Sequence, residues 1–184
     1  MPAPREICGN CIDDDGNGLT DFEDPACCPQ LQTFTMTLTR GRLRPRGAVS
    51  RLRLKSILAQ AGLDHVNPLK QDVFLQIRPA GGRDIFCAKM PAEKFMRMHG
   101  GFKFWDRKHQ VASAKGINDL MVKVQKDKSV RLRTLGKRAE FRAPDAGMLH
   151  ITVGFRDPTS DAQNACSSVA QPFRSGRTGR LIAP

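Results

Sequence analysis

From Phe34 onward, hydrophobic and polar residues alternate with a period of two. Phe34, Met36 and Leu38 are separated by threonines, Leu43 stands between Arg42 and Arg44, and Leu52 and Leu54 stand among Arg51, Arg53 and Lys55. The same beat recurs in Val73 to Ile77, Phe102 to Phe104, Leu120 to Val124, Val130 to Arg133 and Leu149 to Phe155. Side chains of a strand point alternately to its two faces, so each run predicts a short strand with one apolar face. Turn-forming clusters separate the runs: Gly81-Gly82, Gly100-Gly101, Lys126-Asp127-Lys128 and Pro144 to Gly147. Seven to nine strands punctuated in this way predict an all-β fold, an antiparallel β-sandwich over residues 31–166. Ser56 to Gly62 is expected to form a helical turn. Residues 167–184 carry no strand-like run and are read as an extended C-terminal tail. Trp105, a lone tryptophan in a β-domain, is expected in the core.

The chain has 184 residues, of which 40% are hydrophobic, enough for one buried core. No apolar run approaches the roughly 20 residues of a membrane helix. The formal net charge of +12 joins two regions of opposite sign. Residues 1–30 hold seven acids against the single base Arg5, a net of −6, and four of the six cysteines. The remainder holds 29 bases against 11 acids, a net of +18. A change of sign and of cysteine density at one point predicts a boundary at Pro29–Leu31.

The acidic region contains a spaced set of oxygen donors. With Asp13 as position 1, Asp15 is position 3, Asn17 position 5, Gly18 position 6, Leu19 position 7, Asp21 position 9 and Asp24 position 12. This is the calcium-loop spacing of an EF-hand, in which alternate side chains of a tightly curled loop converge on one hard cation. Gly18 provides the sharp turn, Leu19 a backbone carbonyl, and Asp21 a direct or water-bridged contact. Position 12 is Asp24 rather than glutamate, a shorter arm, so a weak site of about 10⁻⁴–10⁻³ M is expected. Crowding of five aspartates also favours a cation among them. Pro25 follows the loop at once and opposes an exiting helix, so cysteines are expected to hold the loop instead.

Cys8 and Cys11 precede the loop, and Cys27 and Cys28 follow it. A Cys₄ zinc site is one reading, but the vicinal pair fits that geometry poorly. Two disulfides joining Cys8 and Cys11 to Cys27 and Cys28 are the expectation, with the order of pairing open. Cys87 and Cys166 are then left for a third disulfide that ties down the tail, or for two buried thiols. An even cysteine count beside calcium ligands predicts an oxidising compartment, and the chain reads as mature, exported protein without its leader.

The stretch from Cys8 to Cys28 resembles the cysteine-framed, Asp-rich "IDDDGDGLTDxxDPxC" segments of bacterial secreted proteins. More distantly it is similar to thrombospondin type 3 calcium repeats. The resemblance covers residues 6–28 and implies an extracellular calcium-binding segment. Phe86-Cys87-Ala88, Pro91, Phe95 and Cys166 loosely resemble secreted bacterial β-domains of unknown function, a likeness that implies no activity.

The bases are unevenly spread. No acid lies between Pro25 and Leu63, a span that includes Arg40, Arg42, Arg44, Arg46, Arg51, Arg53 and Lys55. Alternation puts Arg40, Arg42 and Arg44 on one face of a strand, and Arg51, Arg53 and Lys55 on one face of the next. If the two strands pair, they form a cationic panel for a subunit contact or a polyanion: acidic glycan, lipopolysaccharide or, less well matched, nucleic acid. The bland alternative is a solvated sheet face. Catalytic signatures are missing: there is no Gly-x-Ser-x-Gly, no His-Glu-x-x-His and no phosphate-cradling glycine loop. His99 and His109 could meet across a hairpin around a metal, although solvated loop histidines are the plainer reading. These observations predict a secreted or cell-surface, non-enzymatic structural protein with a calcium-stabilised N-terminal loop. Self-association into a filament through head-to-tail or strand-addition contacts is one expected mode of action. Polyanion binding is the alternative, and a carbohydrate-active enzyme the third.

Overall fold

The computed structural model describes residues 4–28, 34–47, 49–161 and 164–184. Eleven strands run in chain order: β1 Met36–Arg44, β2 Arg51–Leu58, β3 Asp72–Pro79, β4 Phe86–Met90, β5 Phe95–Met98, β6 Gly101–Trp105, β7 Ile117–Val124, β8 Val130–Gly136, β9 Gly147–Arg156, β10 Ala165–Gly176 and β11 Arg180–Ala183. Every pairing is antiparallel, in the spatial order β4-β3-β9-β10-β11-β1-β2-β8-β7-β6-β5. The fold is therefore all-β, as the alternation predicts. The outermost strands in space, β4 and β5, are neighbours in sequence, joined only through Pro91 and the 3₁₀ turn Ala92–Lys94. The sheet thus curls until its two edges are tied together, and its apolar faces enclose one core.

That core takes Val73, Leu75 and Ile77 from β3 and Leu149, Ile151, Val153 and Phe155 from β9. Across from them stand Leu43, Leu52, Leu54, Phe104, Leu120 and Leu132 from the other half of the sheet. β10 links the halves. Its residues Ala165–Phe173 pair with β9, and Arg174–Gly176 pair with β11. The C-terminal residues 167–184 are consequently not a tail: they form two interior strands, with Phe173, Leu181 and Ala183 buried. Their apolar side chains are spaced too sparsely for periodicity to reveal them. Gly41 completes the fit, since a Cβ there would stand 2.6 Å from the Phe173 ring.

Two irregularities set which way the charges point. In β1 the buried positions change parity, from Met36 and Leu38 to Gly41 and Leu43. A bulge between Leu38 and Arg40 takes up the extra residue. Without it Arg40, Arg42 and Arg44 would face the core. A second bulge, between Ile117 and Asp119, does the same in β7. The helical turn expected at Ser56 to Gly62 is displaced. Ser56 to Leu58 finish β2, whose alternation continues, and a single helical turn, α1, follows at Gly62–His65.

The boundary expected at Pro29–Leu31 lies outside the described residues. What precedes it is a second layer rather than a separate stapled unit. β3 is buried on both faces, and its outward residues Phe74 and Gln76 are covered by residues 4–28. Phe22 packs on Phe74 with ring centroids 4.9 Å apart and joins Cys28 and Cys166 in a small separate cluster. Gly154 on β9 leaves the seat that Phe22 occupies. Gln76 meets the segment's backbone twice, accepting from Phe22 N at 3.1 Å and donating to Thr20 O at 2.8 Å. Arg78 pairs with Glu23 at 2.5 Å.

Candidate functional site

The disulfides fix how the acidic layer sits. Cys8 bonds Cys27 and frames the loop, but Cys11 bonds Cys87 on β4 and Cys28 bonds Cys166 on β10. The expected pairing of all four N-terminal cysteines among themselves, with Cys87 to Cys166, is corrected. The vicinal pair splits, Cys27 staying within the segment and Cys28 reaching the sheet. No cysteine is free, which also removes the zinc reading.

Within the loop, Asp13, Asp15 and Asn17 build a chain of local turns. Asp13 accepts from Gly16 N at 2.8 Å and Gly18 N at 3.0 Å, and Asp15 from Asn17 N at 3.0 Å. The Asn17 amide donates to Asp15 and to Asp24, and its oxygen accepts from Leu19 N at 2.8 Å. Carboxylate oxygens of Asp13, Asp15 and Glu6 lie within 4.8 Å of one another. Glu6 is a ligand candidate that the twelve-residue spacing does not contain. It lies ahead of the loop, and only its presence in the acidic stretch pointed toward it. Burial raises the Glu6 carboxyl pKa, against hydrogen bonds from the Asp21 and Asp14 N–H groups.

Asp21 turns its carboxylate toward the backbone of residues 9–11. It is fully buried, and its carboxylate accepts from the N–H groups of Gly9 at 2.5 Å, Cys11 at 2.8 Å and Asn10 at 3.2 Å. Burial raises its pKa, opposed by those three bonds. Asp21 also groups with Cys11 and Cys87, but those sulfurs are bonded to each other and offer no thiolate to a metal. Its role in the structure is to anchor the Cys8–Cys11 turn. The oxygen-only donors Glu6, Asp13 and Asp15, with Asn17 and Asp24 adjoining, suit a hard cation such as Ca²⁺. His99 lies in the turn before β6 and His109 in the loop after it. Neither belongs to a candidate metal group among the described residues.

The basic residues come together on the other side of the molecule. β1 and β2 pair with Arg40 opposite Lys55, Arg42 opposite Arg53 and Arg44 opposite Arg51. The outward face continues into β8, where Lys55 stands opposite Arg133 and Ile57 opposite Arg131, and into β7, where Arg131 meets Lys123. One row crosses seven strands: Arg174, Ile182, Arg42, Arg53, Leu135, Asp119 and Trp105. Asp119 is the acid within this face, held 3.5 Å from Lys103 and 3.7 Å from Arg133. Trp105 is not in the core. It is 39% exposed, with Lys103 Nζ 3.4 Å and Arg107 4.5 Å from its ring centroid. On β6 the buried partners are Phe102 and Phe104, so parity alone sends Trp105 outward.

At one end of the face, Arg42, Arg44, Arg51, Arg53, Lys137 and Arg180 line a groove of about 320 Å³ with Leu43, Leu52 and Leu135. Partial burial, together with Arg46, Arg180 and Arg51, holds the Arg44 guanidinium below the usual arginine range. Its Nε is buried without a hydrogen-bond partner.

Fold and site together define an all-β, disulfide-stapled protein whose outer sheet face carries an acidic cover over β3 and β9 and a basic panel on β1, β2 and β8. No known protein family matches the chain, and no solved structure matches it. Teneurin-1 of Mus musculus is 32% identical over 85 residues, a stretch that takes in 40% of this chain and 3% of teneurin-1. The chain therefore spans a small fraction of that protein. Among the described residues no helix is long and apolar enough to cross a membrane.

Proposed function

We propose that this is a secreted or cell-surface, non-enzymatic protein that binds polyanions through the outer face of β1, β2 and β8. The observation that carries this reading is the direct opposition of Arg40 with Lys55, Arg42 with Arg53 and Arg44 with Arg51. Like charges directly opposite on a sheet destabilise it. Three consecutive pairs of that kind concentrate a positive potential that a polyanion relieves. Six disulfide-bonded cysteines support a location in an oxidising compartment. The acidic layer serves as a calcium-held cover of the outer face of β3 and β9, with Glu6, Asp13, Asp15, Asn17 and Asp24 as its donors. Bound Ca²⁺ supplies charge neutralisation there and no reaction chemistry.

The test is binding of heparin by the intact protein and by a variant carrying R42E, R44E, R51E and R53E. The wild type is expected to bind at low salt and the variant to lose binding while keeping its melting temperature. Equal binding by both would overturn the reading. A second reading, head-to-tail self-association, is favoured by the placement of acidic cover and basic panel over different strands of the outer sheet face. Strand addition by the C-terminus is disfavoured, because β10 and β11 already lie inside the sheet. Size-exclusion chromatography with calcium and with EGTA separates the two readings. Calcium-dependent oligomers support self-association, and a monomer under both conditions removes it.

A further inference from the structure

We infer that the partner of the basic face is an acidic polysaccharide, and that it docks first in the groove around Arg44, between β11 and β8. This rests on the polyanion reading above and narrows it to one site and one class of polymer.

The site is singled out by unrelieved charge. Along most of the face the cations project freely or, near β7, share Asp119. In the groove six cationic side chains converge, and no acid is among its lining residues. Arg44 sits at the centre, part-buried, with Arg51 directly across the strand pair and Nε unpartnered. Arg180 closes the far side from β11. A buried guanidinium nitrogen without a partner is costly, and its planar fork matches carboxylate, sulfate and phosphate oxygens. An anionic substituent placed there gains a charge-assisted hydrogen bond and cancels the mutual repulsion of Arg44, Arg51 and Arg180. A second groove continues the path past Arg51 and Lys137 to Arg107, Arg138 and His109, again without an acid. The two together make a track several charges long, which suits a polymer rather than a single ion.

Three observations choose the polymer. Single-stranded nucleic acid is held by aromatic platforms on which bases stack. The chain has no tyrosine, and Trp105 already has Lys103 and Arg107 over its ring. Duplex DNA is read by a helix or ribbon entering a groove, whereas this face is a sheet surface whose longest nearby helix, α1, is four residues. Apolar side chains lie among the cations instead, with Leu135 in the groove and Ile182 beside Arg42, giving surfaces for the C–H faces of sugar rings.

The experiment compares a heparin oligosaccharide with single-stranded and duplex DNA of matched charge, using the whole disulfide-bonded protein. Two triple variants are measured alongside: R44Q/R51Q/R180Q in the groove and K55Q/R131Q/R133Q at the other end of the same face. Thermal melts confirm that both fold. Heparin binding at least about tenfold tighter than either DNA, lost at least about tenfold in the groove variant and much less in the distal one, supports the inference. Equal affinity for DNA and heparin, or equal losses in the two variants, overturns it while leaving a general polyanion binder. Absence of binding to all three ligands overturns both.

Discussion

At the scale of single residues, a few side chains decide whether the acidic layer stays on the sheet. Gly154 is one. Any side chain there collides with the Phe22 ring, so Gly154→Ala should lift the layer at an overpacking cost of about 1–3 kcal/mol. Limited proteolysis of residues 4–28, accelerated in the variant, would show it. Asp84 is another. Burial, then the nearby Glu23 carboxylate, pushes its pKa up to about 8, while a hydrogen bond from Gln76 opposes the shift. A carboxyl raised in the folded state binds its proton more tightly there than in the unfolded chain. Its contribution is therefore complete at about pH 4 and is lost as pH rises toward 8. Asp84→Asn, which keeps an oxygen for Gln76, should leave stability unchanged near pH 3 and raise it above pH 8. Denaturant melts at both values check this, and a variant less stable at pH 9 would contradict it. Both sites were hidden in the sequence. The alternation in β3 placed Phe74 and Gln76 outward correctly, but nothing local said that a second layer would cover them.

At the scale of elements, the N-terminal segment and the C-terminal strands show where periodicity works and where it stops. Strands with one largely apolar face, such as β2, β8 and β9, were legible because their cores demand strict alternation. β10 was not, because its inward face carries polar Ser167, bonded to the Phe34 carbonyl, while Cys166 on its outward face meets the N-terminal segment. The calcium spacing was legible to the extent that loop turns follow local sequence. The engagement of the Asp21 carboxylate by three backbone donors, near the Cys11–Cys87 bond, was not legible there. Glu6→Gln should therefore weaken calcium binding about tenfold by titration calorimetry. Asp21→Asn should lower the melting temperature with a smaller effect on the calcium affinity of the folded protein. The pairing itself is checked by peptide mapping without reduction, which should recover Cys11–Cys87 and Cys28–Cys166. In the chain-entropy picture these long closures, 76 and 138 residues apart, are worth about 4.5 and 5 kcal/mol, against about 3 kcal/mol for Cys8–Cys27.

At the scale of the whole molecule, the opposite charges of the two regions become two patches over different strands of one sheet's outer face. Several acidic residues are satisfied locally, by backbone N–H groups and by Arg78. The basic residues are not: Arg40, Arg42 and Arg44 are turned outward by a bulge and set against Arg53, Arg51 and Lys55 with one acid on the face to share. The central claim is that this face binds a polyanion by charge, and the salt dependence of heparin affinity tests it most directly. Affinity is expected to fall at least about tenfold between about 0.1 and 0.5 M NaCl, with a shallower slope when Arg42 and Arg53 are changed to glutamine. Affinity that is unchanged by salt, or a slope unaffected by the two substitutions, would contradict it.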